Sequence, residues 1–166
     1  MINFEYDNIT SELIIQDFLS YESNKKYDLI LTNTCLEHVK DDAMFINKCN
    51  SYLQTNGKVI HIIPSNWGLY LFLWHGYRQY NKRLLKKLFC EMPSKIYRLG
   101  GLFSFWSHLI LITVPNLKVY FKNGKGNLPL EQFRKTKAYD ILIRICCQLD
   151  RLFPIFSHYY IVIINK

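Results

Sequence analysis

The sequence predicts an α/β fold built on a parallel sheet, and three observations carry that prediction. Tyr27–Thr32 and Lys58–Ile63 are short apolar, partly β-branched runs, the pattern of strands covered on both faces by helices. Between them, Val39, Ala43, Phe45, Ile46, Cys49, Tyr52 and Leu53 recur at three- and four-residue steps, so that Val39–Leu53 can bury one helical face. Asn56-Gly57 then marks a helix stop, with glycine expected in the left-handed conformation, and Pro64 closes the second run. A strand, a crossover helix and a parallel strand in this order form a right-handed βαβ unit.

The remaining elements follow in order. Asn33, Thr34, Glu37 and His38 arrive where the first strand should end, and Asp41 and Asp42 fall in the first helical turn, where acidic groups suit the helix dipole. Beyond Ser65 the chain becomes greasier. Trp67–Trp74 is aromatic and apolar, and Tyr77–Phe89 places Arg78, Lys82, Arg83, Lys86 and Lys87 on one side of a helical wheel with leucines on the other, a pattern suited to a membrane surface. Leu99–Leu117 runs uncharged between Arg98 and Lys118 and approaches the roughly 20 residues that cross a bilayer. Gly100, Gly101, Ser104, Ser107, His108 and Pro115 lower its apolarity, so internal packing or a substrate cap, an interfacial element and a span all stay open. Lys118–Lys122 reads as a short strand before the Asn123-Gly124 turn. Ala138–Leu152 reads as a helix with an Asp140–Arg144 pair, Pro154 breaks it, and His158–Ile164 is a strongly β-type run.

At Tyr27-Asp28-Leu29-Ile30, Leu36-Glu37-His38-Val39 and Asn56-Gly57-Lys58 through Ile63-Pro64-Ser65, the sequence resembles the class I S-adenosylmethionine-dependent methyltransferases, particularly their small-molecule and glycan-modifying branch. The resemblance extends upstream to Glu12–Phe18 and covers the first 65 or so positions best. It implies a partial Rossmann-like sheet. Glu12–Gln16 would be that family's third strand, the two apolar runs its fourth and fifth, and His158–Ile164 its terminal antiparallel strand. Residues 66–117 would be an apolar, basic insertion or cap within a single domain spanning 1–166. S-adenosylmethionine is the implied cofactor. Asp17 would accept from the adenine amino group, Phe18 would pack on the purine or belong to the core, and Asn33 and Thr34 would offer backbone contacts near the methionine part. His38 is the imidazole nearest the expected strand end, a general base if the acceptor is a hydroxyl; the alternative is that Glu37 and His38 hold the turn.

Two features of the family pattern have no counterpart. No Gly-x-Gly turn stands before Asp17, and no ribose-binding carboxylate stands about 20 residues beyond such a turn. The expectation is a methyltransferase-like chain that is incomplete on its own, with its N-terminal half as a separate chain or lost, and weak S-adenosylmethionine binding in isolation.

Composition sets outer limits. A chain of 166 residues with 49% hydrophobic content suits one core. Its net charge of +8 favours an anionic neighbour such as a membrane surface, or merely a lysine-rich exterior. Nucleic acid ranks last as a partner, because no binding motif accompanies the basic stretch Arg78–Lys87. Small-molecule, glycan or lipid-linked acceptors rank first. The five cysteines lack CxxC spacing, which argues against a zinc site and for reduced thiols in the cytoplasm, peripheral to the membrane if the basic segment docks there.

Overall fold

The computed structural model describes residues 12–72, 78–123 and 136–166; Trp74, Tyr77 and Gly124 of the segments read above lie outside them. Four strands form one sheet: β1 (Tyr27–Asn33), β2 (Leu53–Pro64), β3 (Ser94–Leu99) and β4 (Tyr159–Asn165). Their spatial order is β1-β2-β4-β3. β1 and β2 pair in parallel, and β4 runs antiparallel to both β2 and β3. The last strand therefore enters between two earlier ones that share a direction.

The crossover between β1 and β2 forms as its sequence dictates. A 3₁₀ turn (Leu36–His38) leads to α1 (Asp42–Ser51), whose N-terminus is capped by the Asp41 carboxylate accepting from Met44 N at 2.9 Å. Phe45, Ile46 and Cys49 of α1 bury against Val59 and Ile63 of β2. The helix ends earlier than its periodicity suggests, and the backbone reversal falls on Asn56 (φ 67°) instead of Gly57. Glycine is needed at 57 for another reason. A Cβ there would lie 3.0 Å from the carbonyl oxygens of Gln54 and Tyr27, where β2 restarts its register against β1.

One face of the sheet carries the core. Val59 and Ile63 of β2, Tyr160, Val162 and Ile164 of β4, and Leu85 and Phe89 at α3 (Lys82–Leu88) all belong to it. The basic residues of α3 stay outside while Leu85 points in, so the helical part of the basic stretch, Lys82–Leu88, is an ordinary packed helix with a solvated cationic side. Helix α2 (Gly68–Phe72) follows the end of β2. On the opposite face, the cross-strand row Leu31–Ile60–Ile163 and its neighbours are only partly covered, with Leu29 and Leu31 56 and 60% exposed.

Three expectations need correction. Glu12–Gln16 joins no ladder, and Asp17–Ser20 is a turn in which the Asp17 carbonyl accepts from Ser20 and Tyr21; local hydrogen bonding there displaces strand pairing. Lys118–Lys122 is helical despite its β-type composition, because it continues α4 (Leu102–His108) through a π-helical turn (Leu109–Thr113) into α5 (Val114–Asn123). Ser94–Leu99, inside the segment read as an insertion, is an edge of the sheet, and Lys95 and Arg98 break the apolar run that would have marked it as a strand. The later helix, α6 (Lys137–Asp150), forms as expected, with Thr136 as its cap and Asp140 paired to Arg144 at 2.9 Å. No helix among the described residues is long and apolar enough to cross a membrane.

Candidate functional site

In sheets of this kind ligands bind beyond the carboxyl ends of the parallel strands. Here those ends are Asn33-Thr34 after β1 and Ser65-Asn66-Trp67 after β2. Thr34 is held at φ 45°, a conformation that a β-branched residue adopts only under constraint. Its N–H donates to Ile62 O at 2.9 Å, so β2 imposes the bend. Backbone strain at a strand end points to a functional turn. Asn33 projects from the open face of the sheet and is exposed.

Two buried polar hubs fix these loops. Ser65 is fully buried; its N–H donates to His158 O, its hydroxyl donates to Ser157 O, and its Oγ accepts from Trp67 N. Tyr80, also fully buried, donates from its hydroxyl toward Leu36 O and the Asp42 carboxylate, and its carbonyl accepts from Asn66 N. Burial, with the Asp42 carboxylate beside it, pushes the Tyr80 phenol up, keeping it a neutral donor. Arg78 locks the same corner through Asp42 at 2.7 Å and Lys40 O. The two carboxyl-end loops are thereby cross-tied through one tyrosine.

Glu37 is completely buried, and its Oε1 lies 3.8 Å from Nε2 of the half-exposed His38. The contact is longer than a hydrogen bond, so it sets the carboxylate beside the ring without fixing it. Sequence reasoning gave Glu37 only a turn-holding part; its position after an apolar strand end was the available signal.

The structure does not bring all the sequence-predicted residues together. Asn33, Thr34 and His38 share the carboxyl end of β1. Asp17 and Phe18 sit elsewhere. The Phe18 ring packs on Phe45 at 5.0 Å and Tyr52 at 6.2 Å, Leu19 O accepts from Lys48, and Tyr21 O accepts from Tyr52. These contacts fasten the Asp17 turn to the last turn of α1, whose Tyr52 O accepts from Tyr27 N at the start of β1. An open apolar cleft of about 440 Å³ lies there, lined by Ile14, Phe18, Tyr27, Leu29 and Tyr52. Phe18 thus takes the core alternative left open by the sequence. Asp17 is exposed, and its Oδ1 accepts from Leu19 N at 3.2 Å, an ordinary turn contact.

At the carboxyl ends of β2 and β3 a second cleft, of about 340 Å³, is lined by Trp67, Arg98, Phe156 and Tyr160. Trp67 meets Phe156 edge-on at 4.5 Å, and Phe156 is held at φ 58°. Arg98 donates to Pro154 O and makes no ion pair among the described residues. An aromatic slot with a cation at its rim suits a small apolar molecule. Among the described residues no group of His, Cys, Asp and Glu could hold a metal ion, and the described cysteines are free thiols.

The chain has the fold of the S-adenosylmethionine-dependent methyltransferases. Among solved structures it is similar to a SAM-dependent methyltransferase from Archaeoglobus fulgidus, with a TM-score of 0.52 at 14% identity over 92% of this chain and 66% of that one. It is also similar to the plantazolicin methyltransferase BpumL, solved with a triazolic desmethylPZN analog and SAH, with a TM-score of 0.51 at 14% identity over 96% of this chain and 60% of that one. No family model matches the sequence, and no curated protein matches it. The chain spans between 35 and 66% of the length of the first solved chains it matches.

A methyl donor of that family was tested against the residues present. Asn33, the strained Thr34 turn and the Glu37–His38 pair suit the polar methionine end. The adenosine end finds no matching set among the described residues, since Asp17 and Phe18 are engaged at the other end of β1.

Proposed function

We propose that this chain is a methyltransferase-like protein of the S-adenosylmethionine-dependent class, supplying the acceptor side and the methionine end of the site, with the adenosine contacts supplied by polypeptide beyond the described residues. The observation that carries this reading is the strained Thr34 turn at the carboxyl end of β1, in a sheet whose order matches that fold. The partly covered sheet face bearing Leu29 and Leu31 supports it, because parallel strands are normally covered on both sides.

The donor supplies an already activated methyl group. What remains for the chain is to hold an acceptor, exclude water and, for a hydroxyl acceptor, take a proton. Trp67, Phe156 and Tyr160 offer apolar walls, and Arg98 offers a guanidinium to an anionic substituent, which favours small-molecule acceptors including glycan- or lipid-linked ones. His38 would accept the proton, a reading supported by its position after β1 with the Glu37 carboxylate 3.8 Å from its ring. Cytoplasmic placement accords with the free thiols.

Calorimetric titration with S-adenosylmethionine tests the reading. The isolated chain is expected to bind weakly, and micromolar affinity would contradict the shortfall in adenosine contacts. Labelled methyl transfer in the presence of the complementing polypeptide is expected to fall when His38→Ala is introduced; transfer unchanged by that substitution would remove His38 from the chemistry.

A further inference from the structure

Residues 100–158 are inserted between β3 and β4, strands that are antiparallel hydrogen-bonded neighbours and that a turn of about two to five residues could join. Closing the sheet does not require this helical excursion. Its base is carefully fixed. The Asp150 carboxylate, buried at the end of α6, accepts from Phe103 N at 2.8 Å and Ser104 N at 3.2 Å, capping α4 from another helix, and α4 and α6 pack together.

Away from that base, apolar residues at helical spacing face outward. Ile141, Ile145 and Leu149 of α6 are 57, 52 and 36% exposed, and Leu152, Phe153 and Ile155 continue the apolar surface beyond the helix end. Trp106 and Ile110, one turn apart, are exposed on the packed α4 side. A stripe at four-residue steps is the pattern of a core face, and here it lies open. Exposed Lys137 and Arg151 lie along the same helix and its end, Arg144 is paired with Asp140, and Asp150 is turned inward, so the exposed charge beside the stripe is net positive. Two copies of the chain meeting through this face would oppose like charges, each carrying +8 overall.

We propose that the α6 stripe, with the Leu152–Ile155 turn and the exposed α4 residues, lies on an anionic lipid surface, its apolar side chains at the acyl boundary and its arginines and lysine at the headgroups. The interface is thereby moved from the basic helix α3, whose apolar side is spent on the core, to the α4–α6 excursion. This surface stands independently of methyl transfer.

The test is sedimentation of the full chain with phosphatidylcholine vesicles, with and without phosphatidylglycerol. Binding is expected for the anionic vesicles, weakening as salt is raised. The exposed-site variant Ile141→Ser/Ile145→Ser/Leu149→Ser is expected to lower partitioning by at least about tenfold, while Leu84→Ser on α3 leaves it unchanged. Equal partitioning of the triple variant, or no binding to anionic vesicles, overturns the proposal. So does a stable dimer in vesicle-free buffer that the triple variant dissociates while vesicles are ignored. Should the triple variant fail to fold, tryptophan quenching by brominated lipid decides: quenching that disappears in Trp106→Phe supports the surface, and its absence in the unmodified chain refutes it.

Discussion

Acidification should destabilise this protein through His61, which sits fully buried on the core face of β2. Its Nδ1 is 2.8 Å from Thr32 Oγ1 on the neighbouring strand, its Nε2 has no hydrogen-bond partner among the described residues, and its ring lies against Phe45 and Phe89. Burial lowers its pKa to about 4. In the unfolded chain the imidazole titrates near 6.5, so the unfolded state takes up the proton first, and stability must fall as pH drops below about 6.5, the full effect being reached below about 4. The difference between the two values corresponds to roughly 3 kcal/mol. Carboxylates titrate over part of the same range, so the unmodified chain alone is not diagnostic. The assay is urea unfolding followed by circular dichroism at pH 7, 5.5 and 4, comparing the chain with His61→Leu, which removes the titrating ring at similar bulk. The gap between the two proteins should narrow or reverse by roughly 3 kcal/mol on going from pH 7 to pH 4. Parallel stability curves would refute the argument that a neutral, buried imidazole fills this position.

Thr34→Gly should raise stability by roughly 0.5–1 kcal/mol, since relief of the positive-φ strain outweighs glycine's greater unfolded freedom; a lowered melting temperature would mean that the threonine side chain anchors the turn. Asp150→Ala should cost about 2–4 kcal/mol because two buried N–H groups of α4 lose their acceptor, while Asp150→Asn, which retains an acceptor, should cost less; equal costs in chemical denaturation would deny the capping role. Gly101→Ala should destabilise the same joint, as its Cβ would lie 2.7 Å from Phe153 O; an unchanged melting temperature would show that the excursion shifts freely.

Much of the sheet was legible because its local signals agree. Tyr27–Asn33, α1 and β2 combine matching periodicity, an aspartate cap and a turn pair, and no tertiary contact overrides them. The exceptions arise where tertiary context decides. Lys118–Lys122 has strand-like composition yet continues a helix already nucleated upstream, and Ser94–Leu99 is an edge strand whose Lys95 and Arg98 interrupt its apolar run. Ile141, Ile145 and Leu149 have core spacing and remain exposed, because helical period fixes a face without saying what covers it. The position of Asn33, Thr34 and His38 at the end of the first strand was legible from their place after an apolar run. The burial of Glu37 and His61 and the Tyr80–Asp42 tie join residues distant in sequence, and periodicity does not report them. Asp17 misled because an acidic residue after an apolar run fits a strand end and a local turn equally well.

We propose that a methyl donor meets this chain at the carboxyl end of β1. Amide chemical shifts followed by NMR during titration with S-adenosylhomocysteine, up to saturating concentration, test it most directly. Perturbations should centre on Asn33, Thr34 and Cys35, weaken in Thr34→Gly and persist in Asp17→Ala. Shifts confined to the Asp17–Tyr21 turn, or absent from the β1 end at every concentration, would contradict the account.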